Sequence, residues 1–503
     1  MRISYRDFLC KNTDLAPLGL VQREDNSHFF CTPKGAKIIG WGRMDGIHYC
    51  TIADYGEAVF SVNPSNGAPD YVHPLAETFE DFLRLLLTCK DANVLEQAWL
   101  WDEATFHTIC TQYQSSDDAC AVLSELEDVF HLTPMEHPWQ YINQLQQSFD
   151  AAKIAYSKKF PVSGTSFPVA LPDWTASSSG TSYDKTHLST KYTINQEFEF
   201  AQHSWKVPAV YACSQSLIID LCMKVRPQEY QHLIQATAVL EHESLTQEQQ
   251  MWLDLENPFY MELCPEGSAN GRNLNYTGES IRYSIPENGT GTICTEIWRT
   301  LGRYHLDPTV GWAIHRIKFS WATKKQPKLN TLSLTMKQQP KRMPGPHFKV
   351  TDIGDTVEFA LPENRGCCTL TVLDYKSEQI HYEPPFDNGM EYPSYYTEMT
   401  YSLSPELPEG SLSIHDCCTS DQPREHHPNQ SCSSSPISEN PLYDATIGII
   451  GGADGPTAIY IATAQEEPSH SVCSSLHFEP AKQIEWFPIF QLTPEKPQSI
   501  QLL

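Results

Sequence analysis

Cysteine and histidine crowd into one short stretch of the chain, and these residue types bind metal ions. Eighteen consecutive residues contain six of them: His415, Cys417, Cys418, His426, His427 and Cys432. Thiolate sulfur and imidazole nitrogen are the ligands that zinc prefers. The zinc ligands predicted from this stretch are Cys417, Cys418, His426 and Cys432. The separations do not follow the C-x2-4-C and H-x3-5-H spacings of regular zinc modules, so a polar linker with incidental thiols is the alternative.

A basic segment stands out in a chain that is otherwise acidic. Residues 314–349 contain nine Lys or Arg and no Asp or Glu. Such a segment is suited to docking an acidic surface, including one on the chain's own N-terminal part. Lysines along a long hairpin also discourage edge-to-edge pairing of strands, and this second interpretation stays open. The residues predicted to contact a partner are Lys324, Lys325, Lys328, Lys341 and Arg342.

The remaining sequence shows no pattern that is typical of a catalytic site. G-x-S-x-G, H-E-x-x-H and the P-loop are all absent from the sequence. Gly448, Gly451 and Gly452 approach a dinucleotide fingerprint, but Pro456 interrupts the helix that would have to follow. No enzymatic activity and no cofactor is therefore assigned from the sequence.

Composition excludes some classes of partner and suggests a compartment. The chain has 503 residues with 35 Lys or Arg against 62 Asp or Glu, a formal net charge of −27, which opposes general binding to nucleic acid or anionic lipid. The length predicts roughly two to four domains. Sixteen cysteines are about 3% of the chain, too few for a disulfide scaffold. The start, MRISYRDFLCKN, lacks the apolar core of a secretory signal, so we expect reduced thiols and a cytoplasmic location.

The elements that would position these residues are of both types, which predicts an α+β fold. Short apolar or alternating runs predict strands at 36–41, 47–52 and 57–62. Thr78 begins a helix whose apolar residues recur at i, i+3, i+4, i+7 and i+8, and further helices are predicted at 92–101, 103–113, 118–131 and 138–152. From about 193 the pattern has period two and indicates an antiparallel sandwich, with a helical insertion within 214–255.

Composition shifts divide the chain into five parts. These are an α+β domain with trailing helices over 1–155, a Ser/Thr/Pro-rich linker over 156–192, a β-rich domain over 193–410, a polar linker over 411–440 and a short module over 441–503.

The N-terminal part carries a family signature in three segments: IIGWGRMDGIHYCTI, YGEAVFSVNP and LAETFEDFLRLLL. With these, the stretch 38–87 resembles the SMI1/KNR4-like (SUKH) family. The most specific element is TFEDFL at 78–83. The resemblance implies an α+β scaffold that binds proteins, in bacteria often an immunity protein that neutralises a toxin, and it implies no catalysis.

A second resemblance lies near the C-terminal end. Residues 447–461, IGIIGGADGPTAIYI, are similar to the GGADGPT segment of the β-subunit of sodium-ion-translocating decarboxylases. This resemblance implies that Asp454 is a sodium ligand. Because an ionised Asp in lipid must be enclosed by other helices, and no other segment reaches 18 consecutive apolar residues, we expect no stable membrane insertion. The segment 447–461 and the LHFEP sequence that follows it also look like a C-terminal module of uncharacterised bacterial proteins, which predicts a docking or stabilising role.

These features lead to two function hypotheses. The first is a non-catalytic bacterial protein that works by protein–protein contact, with a basic partner such as a nuclease toxin. The alternative is an accessory or relative of the decarboxylase β-subunit, with Asp454 as its cation site. The sequence does not identify the partner or the oligomeric state.

Overall fold

The chain forms two compact units. The computed structural model describes residues 3–23, 28–42, 46–156, 166–171, 188–231, 245–286, 295–323, 326–381, 390–425, 448–450, 458–460 and 469–503. Unit 1 comprises residues 1–237, 261–338 and 496–503, and unit 2 comprises residues 238–260 and 339–495. Helices and antiparallel sheets both occur, which confirms the predicted α+β class.

Unit 1 begins with a small sheet and a group of helices. The sheet is an antiparallel meander in the order β1-β2-β3-β4, formed by β1 (Ala36–Trp41), β2 (His48–Ile52), β3 (Val59–Val62) and β4 (Val72–Ala76). The helices are α1 (Tyr5–Leu9), α2 (Phe79–Cys89), α3 (Ala92–Glu96), α4 (Glu103–Gln112), α5 (Asp117–Phe130) and α6 (Pro138–Ser148). The three strands predicted nearest the N-terminus and the helix after Thr78 are therefore confirmed.

Helix α2 lies where the sequence predicts it because both its start and its apolar face are encoded locally. The Thr78 side chain accepts a hydrogen bond from the backbone N–H of Asp81, which caps the helix. Phe79, Phe82 and Leu86 are at most 1% exposed and belong to one core shared with the sheet and the neighbouring helices.

The second part of unit 1 is a nine-stranded sheet. Its strands are β5 (Ser166–Ala170), β6 (Leu188–Phe200), β7 (His203–Ala212), β8 (Ser216–Val225), β9 (Glu266–Ala269), β10 (Arg272–Ser284), β11 (Gly311–Ser320), β12 (Leu332–Met336) and β25 (Gln498–Gln501). They lie side by side in the order β25-β12-β9-β10-β11-β8-β7-β6-β5. All the pairings are antiparallel, so the predicted period-two strands of this region are confirmed at Ile317, Phe319, Leu332 and Leu334, which are all buried.

Helix α8 (Thr295–Arg303) packs in unit 1 with an apolar cluster of this sheet, and buried charges accompany it. Asp220 on β8 pairs directly with Arg316 on β11, and two hydrogen bonds of 2.8 and 2.7 Å join their side chains. The Tyr304 hydroxyl also donates to Asp220. The pair is nearly inaccessible to solvent, and its bidentate geometry offsets much of the cost of burying the charges.

Unit 2 contains two four-stranded antiparallel sheets that share one apolar core. One sheet is formed by β13 (Arg342–Pro344), β14 (Phe348–Lys349), β19 (Leu412–Asp416) and β24 (Glu485–Gln491). The other runs in the order β15 (Thr356–Ala360), β16 (Cys367–Gln379), β18 (Tyr395–Ser404) and β23 (His470–Cys473). Trp486 and Phe490 from the first sheet contact the same core as Phe359, Leu370 and Met399 from the second, as in a sandwich.

Unit 2 also contains shorter elements within its described residues. They are helix α7 (Gln247–Glu256) and the strand pairs β17 (Met390–Glu391) with β20 (Arg424–Glu425), and β21 (Gly448–Ile450) with β22 (Ala458–Tyr460). Helix α7 confirms the helix predicted within 214–255. The N-terminal part of that range instead forms strand β8, whose side chains are almost all buried, as in a central strand.

The structure differs from the predicted five-part division. Strand β5 and the start of β6 lie inside the linker predicted at 156–192, and β19 lies inside the linker predicted at 411–440. The β-rich range 193–410 is divided between the two units. Strands β23, β24 and β25 belong to three different sheets, so 441–503 is not a separate module. These boundaries depend on which distant strands pair with each other, and the amino-acid composition gives no information about that pairing.

Candidate functional site

A group of three metal-binding residue types occurs in unit 2. Asp416 ends strand β19, Cys418 follows two residues later, and His477 lies just beyond strand β23. One carboxylate oxygen, the Cys418 sulfur and one His477 ring nitrogen all lie within 4.8 Å of one another. We call these residues the Asp416 cluster.

Hydrogen bonds between two loops hold the Asp416 cluster together. The segment after β19 is bonded to the segment after β23, because the backbone N–H of Asp421 donates to the Leu476 carbonyl at 2.9 Å. The backbone N–H of His477 donates to the Tyr395 carbonyl at 2.8 Å, which fixes His477 to the start of β18. Cys418 and His477, 59 residues apart in sequence, are thereby neighbours.

Ser475 orients the carboxylate of Asp416. Its backbone N–H donates to one carboxylate oxygen at 3.0 Å, and its hydroxyl lies 3.2 Å from the other. The same hydroxyl lies 2.9 Å from the Cys418 carbonyl. Asp416 is only 5% exposed, and burial raises the pKa of its carboxyl. The side chain is therefore fixed in place but poorly solvated.

The surroundings of Cys418 and His477 are negative. Burial raises the pKa of the Cys418 thiol, and the nearby carboxylates of Asp416, Glu485 and Asp421 raise it further. His477 Nδ1 lies 3.5 Å from a carboxylate oxygen of Asp421. Such a negative environment favours a bound cation.

An open pocket of about 630 Å³ adjoins the Asp416 cluster. Cys418 and His477 both line it, together with Asp421, Gln422, Arg424, Phe478, Glu479, Ala481, Gln483 and Ile484. Within it, the Arg424 guanidinium lies 3.9 Å from the centre of the Phe478 ring and pairs with Glu391 at 2.8 Å. Two residues of the Asp416 cluster are thus reachable from solvent.

Of the four predicted zinc ligands, the structure describes Cys417 and Cys418, and these two lie beside different groups. Cys418 belongs to the Asp416 cluster, but Cys417 lies beside another residue, with its sulfur 3.7 Å from Nδ1 of His347. His426 and Cys432 lie outside the described residues. Asp416 and His477 were missed, and no spacing rule would have found His477.

The predicted basic patch is not a feature of a single unit. Lys328 belongs to unit 1, whereas Lys341 and Arg342 belong to unit 2. Lys324 and Lys325 lie outside the described residues. Arg316, in the same basic segment, is only 6% exposed and pairs with Asp220, so it does not add to a positive surface.

The predicted sodium ligand Asp454 also lies outside the described residues, between strands β21 and β22. Among the residues that the structure describes, no helix is long and apolar enough to cross a membrane.

Helix α5 of unit 1 has an acidic outer surface. Asp117, Asp118, Glu127 and Asp128 are exposed, whereas Leu126 on the opposite side is fully buried. At 100° per residue these four acids lie on the half of the helix that faces solvent. We call them the α5 acidic face. Their signal in the sequence is a 14-residue helix with five acids and no base.

Comparisons with known proteins do not assign a family. No family model and no curated protein matches the chain. Among solved structures, similarity is found to a conserved domain protein from Bacillus anthracis, at 9% identity over 60% of this chain and 73% of that protein, with a TM-score of 0.14. A score this low carries no argument about fold or function.

Proposed function

We propose that this chain is a non-catalytic protein-binding protein that docks a basic partner protein on the α5 acidic face. The observation that carries the proposal is the charge of the helical region of unit 1. Residues 77–150 contain 14 Asp or Glu but only two basic residues, Arg84 and Lys90. Only two of those acids, Asp91 and Glu96, are buried. A surface of one sign steers and selects a partner of the opposite sign.

The position of the acids on α5 supports a role beyond helix stability. Asp117 and Asp118 lie in the first turn, where the helix dipole favours negative charge. Glu127 and Asp128 lie near the C-terminal end, where the dipole disfavours negative charge, and no base lies in the last turn. Beside them Val129 is 44% exposed, which adds an apolar contact. A basic partner would offset the unfavourable charges.

The arrangement of the N-terminal part supports membership of the SMI1/KNR4-like family as part of this proposal. A four-stranded antiparallel meander is followed directly by a helix whose apolar side belongs to the same core. The family resemblance implies a protein-binding scaffold, often of the immunity type, and a basic toxin is the partner that an acidic scaffold of this kind would bind.

A cytoplasmic location belongs to the same proposal. All the cysteines within the described part of the chain are free thiols, which fits a reducing compartment.

Affinity capture with three full-length chains tests the proposal. The first is the wild type, and the second carries Asp117→Asn, Asp118→Asn, Glu127→Gln and Asp128→Asn. The third is a matched control that removes four exposed acids elsewhere, with Asp54→Asn, Glu57→Gln, Glu358→Gln and Glu409→Gln. Each is incubated with extract of the cells that carry the gene, and bound proteins are quantified by mass spectrometry.

A single basic protein, retained in near-equal molar amount by the wild type and the control but lost from the α5 variant, is the expected result. Equal retention by all three chains would place binding elsewhere. No stoichiometric protein on the wild type would remove the support for a binding role.

The decarboxylase-related hypothesis stays a prediction that rests on the GGADGPT segment. It predicts that sodium raises the melting temperature of the wild type and that Asp454→Asn abolishes the effect. Identical melting in sodium and potassium buffers would count against it.

A further inference from the structure

The Asp416 cluster combines three kinds of ligand at one place in unit 2. We infer that Asp416, Cys418 and His477 bind a zinc-type divalent cation, with a further coordination position open to the adjoining pocket. This inference goes beyond the proposed function and does not depend on it.

The spacing of the three ligand atoms suits one small cation. Four ligands placed tetrahedrally about zinc, at bonds of about 2.0–2.3 Å, are separated from one another by about 3.3–3.8 Å. The observed atoms lie within 4.8 Å of one another, so small side-chain rotations close the gap. Cys418 and His477 have the freedom to rotate, because Cys418 is exposed and His477 is half-buried.

The mixture of ligands selects the ion. Ca²⁺ and Mg²⁺ take oxygen ligands, and a site with one carboxylate would bind them weakly. A thiolate and an imidazole together favour zinc or a related transition metal. Three protein ligands with a fourth position open to solvent is the arrangement of zinc sites that keep a water molecule.

Neighbouring groups orient the ligands as they do around known metal sites. Ser475 donates to Asp416 and fixes the direction of its carboxylate. Asp421 lies 3.5 Å from Nδ1 of His477, where a carboxylate orients the ring of a histidine that binds a metal through Nε2.

The burial of the Asp416 carboxylate also favours a bound cation. Asp416 is 5% exposed and forms no salt bridge with any residue in the described ranges. A buried carboxylate is normally paired with a cation or bound to a metal. Asp421 and Glu485 add negative charge nearby. A divalent cation would neutralise Asp416 and the Cys418 thiolate together.

Cobalt and zinc titrations of the purified full-length chain test the inference. The protein is stripped with EDTA, and Co²⁺ is added while the thiolate-to-cobalt charge-transfer band is followed, after which Zn²⁺ displaces the cobalt. Cys418→Ser and His477→Gln each remove one ligand. Cys417→Ser is the matched control, since it changes the adjacent thiol, which faces His347. Cys432→Ser tests the ligand set predicted from the sequence. Circular dichroism of each metal-free variant verifies its fold.

The inference predicts one equivalent of metal in the wild type. Cys418→Ser should abolish the charge-transfer band, and His477→Gln should weaken zinc binding at least tenfold, while Cys417→Ser and Cys432→Ser bind as the wild type does. Failure of the wild type to bind a stoichiometric metal at micromolar concentration would overturn the inference. So would unchanged affinity in His477→Gln, or loss of binding in Cys417→Ser or Cys432→Ser. Because no partner protein is present, none of these outcomes depends on the proposed function.

Discussion

Breaking the buried ion pair between helices α3 and α8 should destabilise unit 1 strongly. The Arg299 Nε donates to a carboxylate oxygen of Glu96 at 3.0 Å, and the two side chains are 2% and 1% exposed. The other Glu96 oxygen accepts from Asn63 at 2.8 Å, and Arg299 Nη1 lies 2.5 Å from Glu296. The pair thus fastens the helix that packs on the large sheet to the N-terminal helices.

The size of the effect follows from burial and from the partners that remain. Unit charges 3.0 Å apart attract by about 5–6 kcal/mol at an effective dielectric constant of about 20. Removing one partner of a buried pair costs about 3–5 kcal/mol, because the other charge is left uncompensated. Glu96→Gln leaves Arg299 paired with Glu296, so we expect about 3 kcal/mol. Arg299→Met leaves two carboxylates without their cation, so we expect a larger loss, near 5 kcal/mol.

Hydrogen exchange of the amides in helix α2 measures this loss locally. Two units with separate cores need not unfold together, so a single global transition is not assumed. A loss of 3 kcal/mol should accelerate exchange about 10²-fold where exchange requires unfolding of unit 1. The control Lys153→Met removes an exposed ion pair at 3.7 Å and should change stability by at most about 0.5 kcal/mol.

A double-mutant cycle decides whether the pair is the cause. In the double variant Glu96→Gln with Arg299→Met, the combined loss should fall short of the sum of the single losses by about 1–3 kcal/mol, because each single change already removes the attraction between Glu96 and Arg299 and the sum counts it twice. Strictly additive losses, or a smaller loss in Arg299→Met than in Glu96→Gln, would refute this reasoning.

Three further predictions concern unit 1. Burial lowers the pKa of His48 to about 4, below its ordinary 6.5, so the unfolded chain takes up the proton first. The contribution of His48 to the free energy of unfolding should therefore be fully present above about pH 6.5 and should be lost, by about 3 kcal/mol, as the pH drops towards 4. Urea unfolding at several pH values measures this loss, and it should be smaller in His48→Gln. Tyr49→Phe removes the 2.7 Å hydrogen bond from the hydroxyl to the Ala92 carbonyl and should lower the free energy of unfolding by about 1–3 kcal/mol in the same assay. An unchanged urea midpoint would contradict this prediction. Ser116→Ala removes the side-chain acceptor for the Ala119 N–H and should cost about 1 kcal/mol, seen as faster hydrogen exchange in the first turn of α5 but not in α2.

Local patterns predicted the elements of this fold well where the signal lies within a few residues. Helix α2 is encoded by the cap at Thr78 and the spacing of its apolar residues, and strand β12 by the alternation of Leu332, Leu334 and Met336. Strand β4 was missed because Pro74 sits inside it, and proline usually argues against a strand.

Features that depend on pairing between distant strands could not be predicted from the sequence. The nine-stranded sheet joins β25 at the end of the chain to β12, and no periodicity shows which strands are neighbours. The same limit applies to the candidate site. Cys418 was recognised by its residue type, but His477 reaches it only because the segment after β23 and the segment after β19 are bonded together. The α5 acidic face required knowledge of which side of the helix is buried.

A calorimetric titration with the captured partner tests most directly whether the α5 acidic face binds a basic partner protein. Exposed charge pairs contribute about 0.2–1 kcal/mol each, so neutralising all four acids should cost about 0.8–4 kcal/mol and raise the dissociation constant by a factor of about 4 to about 10³. The control with four other acids removed should stay within about twofold of the wild type. Equal affinity of the α5 variant and the wild type would contradict the account.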